Sequence, residues 1–369
     1  MRKAFKYRLF TNRIQEIKLE NLFNSARFLY NCALEHRIVC WKQWHKFVNY
    51  YDQANTLKEI RAFDVGLAHL NNSVSQDILR RLDKSFRAFF RRIQTGDKPG
   101  FPRFKSQDRF NSITFPIYGN GIKLRNGKLY IQNVGNVRIK LHRELEGNIK
   151  TITIKRQNGH FYAAFSCDNV IPKPLRFCTD TIGIDVGIKS FAALSNGNII
   201  ENPKHLKHSE DKLKELQRKH SVKHTRNTRK KLSRLHAKVG NQRKDFLHKL
   251  SRQIVNRFGF IFVEDLKPSQ MVKGNRKVLN RYINDAAWTN FFGMLSYKAE
   301  WAGRIFVKVN PKGTTQMCSR CGQIVPKDLS VRVHTCSCGL IIDRDTNAAL
   351  NILRLGHSLC VKQEAVCIN

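Results

Sequence analysis

Acid is scarce in this chain. Its 369 residues hold 28 Asp and Glu against 67 Lys and Arg, a formal charge of +39. An excess of that size repels itself in a compact state and is relieved by a polyanion, whose phosphates exchange bound counterions for lysine and arginine. A basic surface kept for solubility, or one that adheres to acidic membranes, is the blander reading of the same charge. Long apolar runs are also missing: nothing approaches the roughly 18 residues of a membrane span. The start, Met1-Arg-Lys-Ala-Phe-Lys-Tyr-Arg-Leu-Phe10, is charged where a signal peptide would be apolar. Of the 10 cysteines, four cluster at metal-like spacing. Cys32, Cys40, Cys167, Cys178, Cys360 and Cys367 are scattered, which fits packed thiols in a reducing, intracellular setting better than a disulfide framework. Hydrophobic residues at 41% are enough for real cores and exclude a disordered basic tail, and the length suggests two or three domains.

Residues 1–10 alternate like a strand, and Thr11 or Asn12 can start the helix carrying Ile14, Ile17, Leu19, Leu22 and Phe23. The pattern stays helical to Arg92, with Phe28, Leu29 and Tyr30 packing one segment. Ile78, Leu79, Leu82, Phe86, Phe89 and Phe90 form a second stripe, and all these aromatics read as core. Two prolines and two glycines in Thr95-Gly-Asp-Lys-Pro-Gly-Phe-Pro-Arg-Phe-Lys105 end the helical block. From 111 to 168 short strands alternate with turn signals at Asn120-Gly121, Asn126-Gly127, Gly135-Asn136 and Asn158-Gly159, which predicts hairpins closing into a small barrel. The first strand should complete that barrel, making the helices an insertion. Pro172 and Pro174 mark a linker. Residues 211–257 then read as a helix pair in which 16 Lys and Arg face only Asp211, Glu215 and Asp245. Leu232, Leu235, Val239, Phe246, Leu250 and Ile254 supply its apolar stripe. A solvated face is the usual explanation of such a charge run, but three acids cannot pair 16 bases, so phosphate contact is the better reading.

Against so few carboxylates, three stand out. Asp185 lies in a strand between glycines, Gly183-Ile-Asp-Val-Gly187; Glu264 closes the apolar run Phe258-Gly-Phe-Ile-Phe-Val263; Asp345 opens the helix-like Asp343-Arg-Asp-Thr-Asn-Ala-Ala349, with Asp343 as the alternative. Hard divalent cations prefer oxygen ligands, and phosphodiester hydrolysis by paired Mg²⁺ needs carboxylates to share them. The order of strand acid, strand-end acid and helix-start acid is that of a ribonuclease-H-like core. Asp-x-Gly after a strand also occurs in the phosphate loops of sugar-kinase and actin-like ATPases, but those need a second glycine-rich loop and an adenosine-binding glycine cluster, and the sequence shows neither. Cys318-Ser-Arg-Cys321 and Cys336-Ser-Cys338 offer four thiolates, the usual donor set of a structural zinc. The second pair is one residue tighter than Cys-x-x-Cys, which leaves His334 open as a substitute ligand.

Lys6-Tyr-Arg-Leu9, Gly100-Phe-Pro-Arg-Phe-Lys105, Gly183-Ile-Asp-Val-Gly187, Arg234-Leu-His236, Asp245-Phe-Leu-His-Lys249, Val263-Glu-Asp-Leu266, Thr315-Gln-Met-Cys-Ser-Arg-Cys-Gly322 and Asp343-Arg-Asp-Thr-Asn-Ala-Ala349 run through the whole chain up to about His357. In these words the chain resembles the TnpB proteins of bacterial insertion sequences, compact RNA-guided nucleases related to type V CRISPR effectors. The resemblance implies a multidomain α+β fold: a wedge-type β-barrel (1–10 and 107–172) with a helical recognition insertion (11–106), then a ribonuclease-H-like RuvC α/β domain (173–315 and 341–356). A zinc module (316–340) is inserted in the latter, and a tail (357–369) follows. It implies an endonuclease that binds a guide RNA from its transposon end and cuts double-stranded DNA beside a short adjacent motif. Asp185, Glu264 and Asp345 would be catalytic ligands of two Mg²⁺ ions, and Cys318, Cys321, Cys336 and Cys338 ligands of one Zn²⁺. A cytoplasmic, nucleoid-associated monomer in a ribonucleoprotein is expected. Lys105, Arg234, His236, Lys238 and Arg243 are the candidate nucleic-acid contacts. Gln76 and Tyr51 are candidates for reading the adjacent motif, since Gln and Asn match adenine edges; helix capping by Asn71 and its neighbours is the competing role. A guided repressor that has lost its acids, and an RNA-independent transposase of the same fold, are the rival functions.

Overall fold

The computed structural model describes residues 1–266, 271, 277–328 and 331–367. The chain divides into two compact units, Met1–Ile171 and Pro172–Asn369. Among the described residues no helix is long and apolar enough to cross a membrane.

In the first unit β1 (Lys3–Phe10) leads into α1 (Arg13–Trp44), then α2 (Tyr50–Asn55), α3 (Leu57–Phe63), α4 (Val65–Ala68) and α5 (Asn72–Gln94). Asn12 starts α1 through a capping box: its side chain accepts the Gln15 N–H at 2.8 Å, and the Gln15 side chain accepts the Asn12 N–H at 3.2 Å. Leu29, Tyr30, Ile78, Leu79, Leu82 and Phe86 are buried as the helical periodicity predicts. Ile14 (65% exposed), Ile17 (54%) and Phe28 (48%) depart from it, lying on the outer side of a helix whose buried side carries Leu19, Leu22, Phe23 and Ala26. Phe90 is exposed as well, in edge contact with Phe89, whose ring centre is 5.3 Å away.

Six more strands follow: β2 (Ser112–Phe115), β3 (Ile122–Arg125), β4 (Lys128–Ile131), β5 (Gly135–Lys140), β6 (Asn148–Gln157) and β7 (His160–Asp168). With β1 they form one antiparallel sheet in the order β2-β6-β7-β1-β5-β4-β3. Asn126-Gly127 and Asn158-Gly159 both have positive φ at both residues, the turn geometry that matches hairpin twist. The sheet cannot be flat. Residues 116–121 join its two edge strands and span at most about 25 Å, whereas six strand spacings cover about 29 Å. It curls into a nearly closed barrel, and β2 and β3 do not pair across the gap. The connecting loop bridges it instead: the Tyr118 N–H donates to Lys150 O at 3.1 Å, and the Tyr118 hydroxyl accepts from Leu124 N at 3.3 Å.

The second unit carries a five-stranded sheet, ordered β10-β9-β8-β11-β12. Its strands are β8 (Thr181–Val186), β9 (Ser190–Leu194), β10 (Ile199–Glu201), β11 (Phe260–Glu264) and β12 (Ile305–Val309), with β8, β11 and β12 parallel. Between β10 and β11 run α6 (His205–His208), α7 (Glu210–Val222) and α8 (Arg226–Arg257). Helices Lys277–Ala286 and Trp288–Ala302 precede β12, and a closing helix, Arg344–Cys367, ends the described chain. It runs unbroken through 356–357, where the tail was expected to begin. Leu247, Leu250, Ile254 and Val255 of α8 share a core with Phe291, Leu295 and Ala299 and with β8 and β11. The central strands β8 and β11 read as nearly continuous apolar runs because they are buried on both faces.

Candidate metal centres

Ile184 of β8 is in register with Val263 of β11, so the next residues, Asp185 and Glu264, stand side by side where these parallel strands end. That is where open α/β sheets place their ligands. Both carboxylates are buried. The closing helix reaches the same edge because Gly183 lets it: a Cβ there would lie 2.1 Å from Ala349 O and 2.7 Å from Leu353 N. Farther along, Gly356 does the same against the Phe262 ring, which a Cβ would meet at 2.2 Å. Asp345 sits one turn before Ala349.

Electrostatics tie the three acids together. Burial pushes the Asp185 carboxyl well above its ordinary value, and the charges of Glu264 and Asp345 push it further, against the opposing pull of Arg344. Burial raises Glu264 too, while the Thr314 hydroxyl, which donates to its Oε1, works the other way. Arg344 donates from Nε and Nη2 to Asp345 Oδ1 at 3.2 and 3.1 Å. Asp343 is otherwise engaged, accepting the backbone N–H groups of Asp345 and Thr346 at 2.9 and 3.0 Å as the cap of the closing helix. Asp265, next to Glu264, is exposed and meets Lys308 at 3.2 Å. A buried carboxyl raised by burial and by the charges of two neighbouring carboxylates, with oxygen as the only donor, suits a hard divalent cation.

The second centre is a thiolate cluster. The Sγ atoms of Cys318, Cys321, Cys336 and Cys338 all lie within 4.8 Å of one another, with Cys318–Cys338 at 3.7 Å and Cys321–Cys336 at 3.6 Å. A tetrahedral zinc with bonds near 2.3 Å separates its sulfurs by about 3.8 Å, so the cage has the right size. The short Cys-x-Cys spacing is no obstacle. Gly339, at φ 82°, turns the chain so that its N–H donates to Cys336 O at 3.0 Å. Burial opposes ionisation of Cys318, but the N–H groups of Cys321 and Arg320, with the side chains of His334 and Cys336, together outweigh it and bring the thiol down to about 5. The Cys338 N–H lowers Cys336 in the same way. His334, the substitute ligand considered from sequence, is wholly buried outside this set of four, and its Nδ1 accepts from the Lys327 ammonium.

The candidate nucleic-acid contacts fare differently. Arg234, His236 and Lys238 are exposed on α8. Arg243 is turned inward, donating from Nε to Asp285 Oδ1 at 3.1 Å. Lys105 is half-buried, its Nζ 5.7 Å from the centre of the Tyr30 ring and its backbone N–H held by Asn31 at 2.8 Å. Tyr51 is 69% exposed in the first turn of α2 and Gln76 is half-buried on α5. Asn71 caps α5, accepting the Ser73 N–H at 2.9 Å, and its amide also donates to Asn120 and Gln132 at 2.9 and 2.7 Å. Sequence reasoning missed Thr314, Arg344, Asn347 and Asn351. Their one signal was position, beside the first cysteine or within the helix of Asp345.

A strongly basic α/β chain with a carboxylate centre at a parallel sheet edge and a separate thiolate cage is, by class, a nucleic-acid-acting protein with two candidate metal centres. Three family models match it: "Helix-turn-helix domain" over 1–46, "Probable transposase" over 170–275, and "Cas12f1-like, TNB domain" over 288–352. Residues 1–46 themselves form one strand and one continuous helix. A "Putative RNA-guided DNA endonuclease" of Streptomyces pristinaespiralis is 33% identical over 96% of this chain and 90% of its own length. Escherichia coli "Putative RNA-guided DNA endonuclease InsQ" is 30% identical over 99% of this chain and 94% of its own. Among solved structures, the mini-RNA-guided endonuclease CRISPR-Cas_phi3 aligns with a TM-score of 0.49 at 10% identity, covering 96% of this chain and 92% of that one. The chain belongs to the TnpB family.

Proposed function

We propose that the chain is a transposon-encoded, RNA-guided endonuclease that hydrolyses both strands of target DNA beside a short adjacent motif, working as a monomer with a guide RNA from its transposon end. The observation that carries this is the meeting of Asp185, Glu264 and Asp345 at one sheet edge, felt as the raised carboxyl of Asp185. The strand order β10-β9-β8-β11-β12, with one acid on β8 and another on its parallel neighbour β11, supports a ribonuclease-H-like RuvC domain. The curled sheet of the first unit supports a wedge barrel with the helices as its insertion. The division of work follows from chemistry: pairing with the guide reads the target, and the protein reads the short motif.

Asp185, Glu264 and Asp345 would hold two Mg²⁺ ions, which when bound polarise the scissile phosphate and lower the pKa of the attacking water. The chain's own groups prepare that site. Thr314 orients the Glu264 carboxylate, Arg344 holds Asp345, and burial excludes bulk water from Asp185. Arg234, His236 and Lys238 lie where a phosphate backbone could follow α8. The four thiolates would hold one Zn²⁺ with a closed shell, which leaves no position for catalytic water.

The test is to purify the chain with its flanking transposon DNA expressed, sequence the copurifying RNA, and assay plasmid cutting in Mg²⁺ against a randomised flank. Asp185→Ala and Glu264→Ala should abolish cutting and leave RNA and DNA binding intact; cutting at the unaltered rate refutes the assignment. The matched description "Probable transposase" favours one rival, strand transfer, and an assay on transposon ends without RNA separates it.

A further inference from the structure

One short segment touches both metal centres. Thr314 to Ser319 leads into the first cysteine pair, and two asparagines of the closing helix hold its backbone, while Arg354 of the same helix donates to Met317 Sδ at 3.0 Å. Asn347 accepts the Ser319 N–H at 2.9 Å and donates to Met317 O at 2.8 Å. Asn351 donates to Met317 O at 2.6 Å and to Thr314 O at 2.9 Å. Asn347, Asn351 and Thr314 are at most 1% exposed. At the other end of the segment, the Thr314 hydroxyl donates to Glu264.

Helix geometry explains why two asparagines four residues apart serve this purpose. At 100° per residue, Asp345, Ala348, Ala349 and Ile352 fall on one face, and Asn347 and Asn351 on another roughly 130° round. The first face carries the acid and the small residues that let the helix settle on β8. The second grips the thiolate segment. Asn351 Oδ1 is buried without a hydrogen-bond partner among the described residues, a cost that a position serving only packing would avoid. The side chain is retained for its two donated bonds.

We propose that Thr314, Asn347 and Asn351 form a latch through which the four-thiolate module sets the divalent-cation affinity of the carboxylate centre. The latch rests on the reading of Asp185, Glu264 and Asp345 as a cation site. When the thiolates are ligated, the segment is rigid, Thr314 fixes the rotamer of Glu264, and the asparagines fix the helix that presents Asp345. These are positioning residues, and ligand-orienting partners of this kind change metal affinity by about 10- to 100-fold.

The test measures Mn²⁺ binding to the full chain by electron paramagnetic resonance, beside zinc content by mass spectrometry. Thr314→Val and Asn351→Leu should each weaken Mn²⁺ binding by about 10- to 100-fold while one zinc per chain is retained, and Thr314→Ser should restore it. On the unaltered chain, removing the zinc with a selective chelator, then removing the chelator, should weaken Mn²⁺ binding to a similar degree. Thr314→Val binding Mn²⁺ like the unaltered chain overturns the latch, as does a zinc-stripped chain that binds undiminished. Asp185→Ala is measured alongside and should lose Mn²⁺ binding. If it keeps it, the carboxylate reading falls and the latch with it; if it loses it while Thr314→Val does not, the latch alone fails.

Discussion

Asp343 hands the backbone N–H of Asp345 a hydrogen-bond acceptor at 2.9 Å, so one carboxylate closes the helix end while the other, two residues on, is left to face Asp185. Two acids that look interchangeable in sequence are separated by what their oxygens already hold.

Asp343→Ala should therefore cost stability, about 1 kcal/mol for a lost N-cap, and leave cutting measurable. Asp345→Asn should abolish cutting with little change in melting temperature. Thermal unfolding and plasmid cleavage on both variants check this; the reverse pattern exchanges the roles.

Gly183 allows the closing helix to rest on β8, and a methyl there meets backbone 2.1 Å away. Gly183→Ala should destabilise the protein by about 1–3 kcal/mol, as overpacking does, and should also lower cutting because the displaced helix carries Asp345. Urea unfolding and cleavage rates should fall together.

Lys298 is buried between α8 and its own helix, Trp288–Ala302, with Nζ donating to His248 O and Ser251 Oγ at 2.7 Å each. Burial, with Arg252 adding to it, brings its ammonium down to about 8. The folded state thus releases a proton at a lower pH than the unfolded state. The charged lysine's penalty is complete below pH 8 and is relieved as pH rises from there toward the ordinary lysine value, so stability from this group increases over that window, by at most about 1.4 kcal/mol per pH unit. Lys298→Met should flatten that rise. Urea midpoints of the two proteins at several pH values from 8 to 10 measure it.

On α8, Arg234 and Lys238 are exposed, whereas Arg243 is engaged by Asp285. Arg234→Glu with Lys238→Glu should weaken nucleic-acid binding and reduce the slope of log affinity against log salt by about 2. Arg243→Ala should act mainly on stability. Fluorescence anisotropy across a salt series, with melting curves, distinguishes the two.

Much of this was legible because it is local. Asn12 before an amphipathic run caps α1, Asn-Gly pairs make the turns at 126–127 and 158–159, and an apolar run ending in an acid becomes β11 with Glu264 at its tip. Side-chain commitments across the fold were not legible. Sequence gives no sign that Lys105 lies beside Tyr30 and Asn31, and Ile14, Ile17 and Phe28 sit on the outside of a helix whose inner face is already filled. Thr314 and Asn351 carry no motif that separates them from ordinary polar residues, and Asn347 lies in the word Asp343–Ala349 without its contact to the thiolate segment being readable there.

By itself the amino-acid order determined the basic charge, the cysteine and carboxylate types, and the periodicities of strand and helix, since each depends only on residues near one another along the chain. Tertiary structure alone decided which aspartate faces its fellows, that the first sheet curls without pairing its edges, and that one segment links the thiolates to Glu264. Those outcomes depend on the closeness of residues as many as 176 positions apart, such as His357 and Thr181, and such closeness exists only after the sheet and the closing helix have packed.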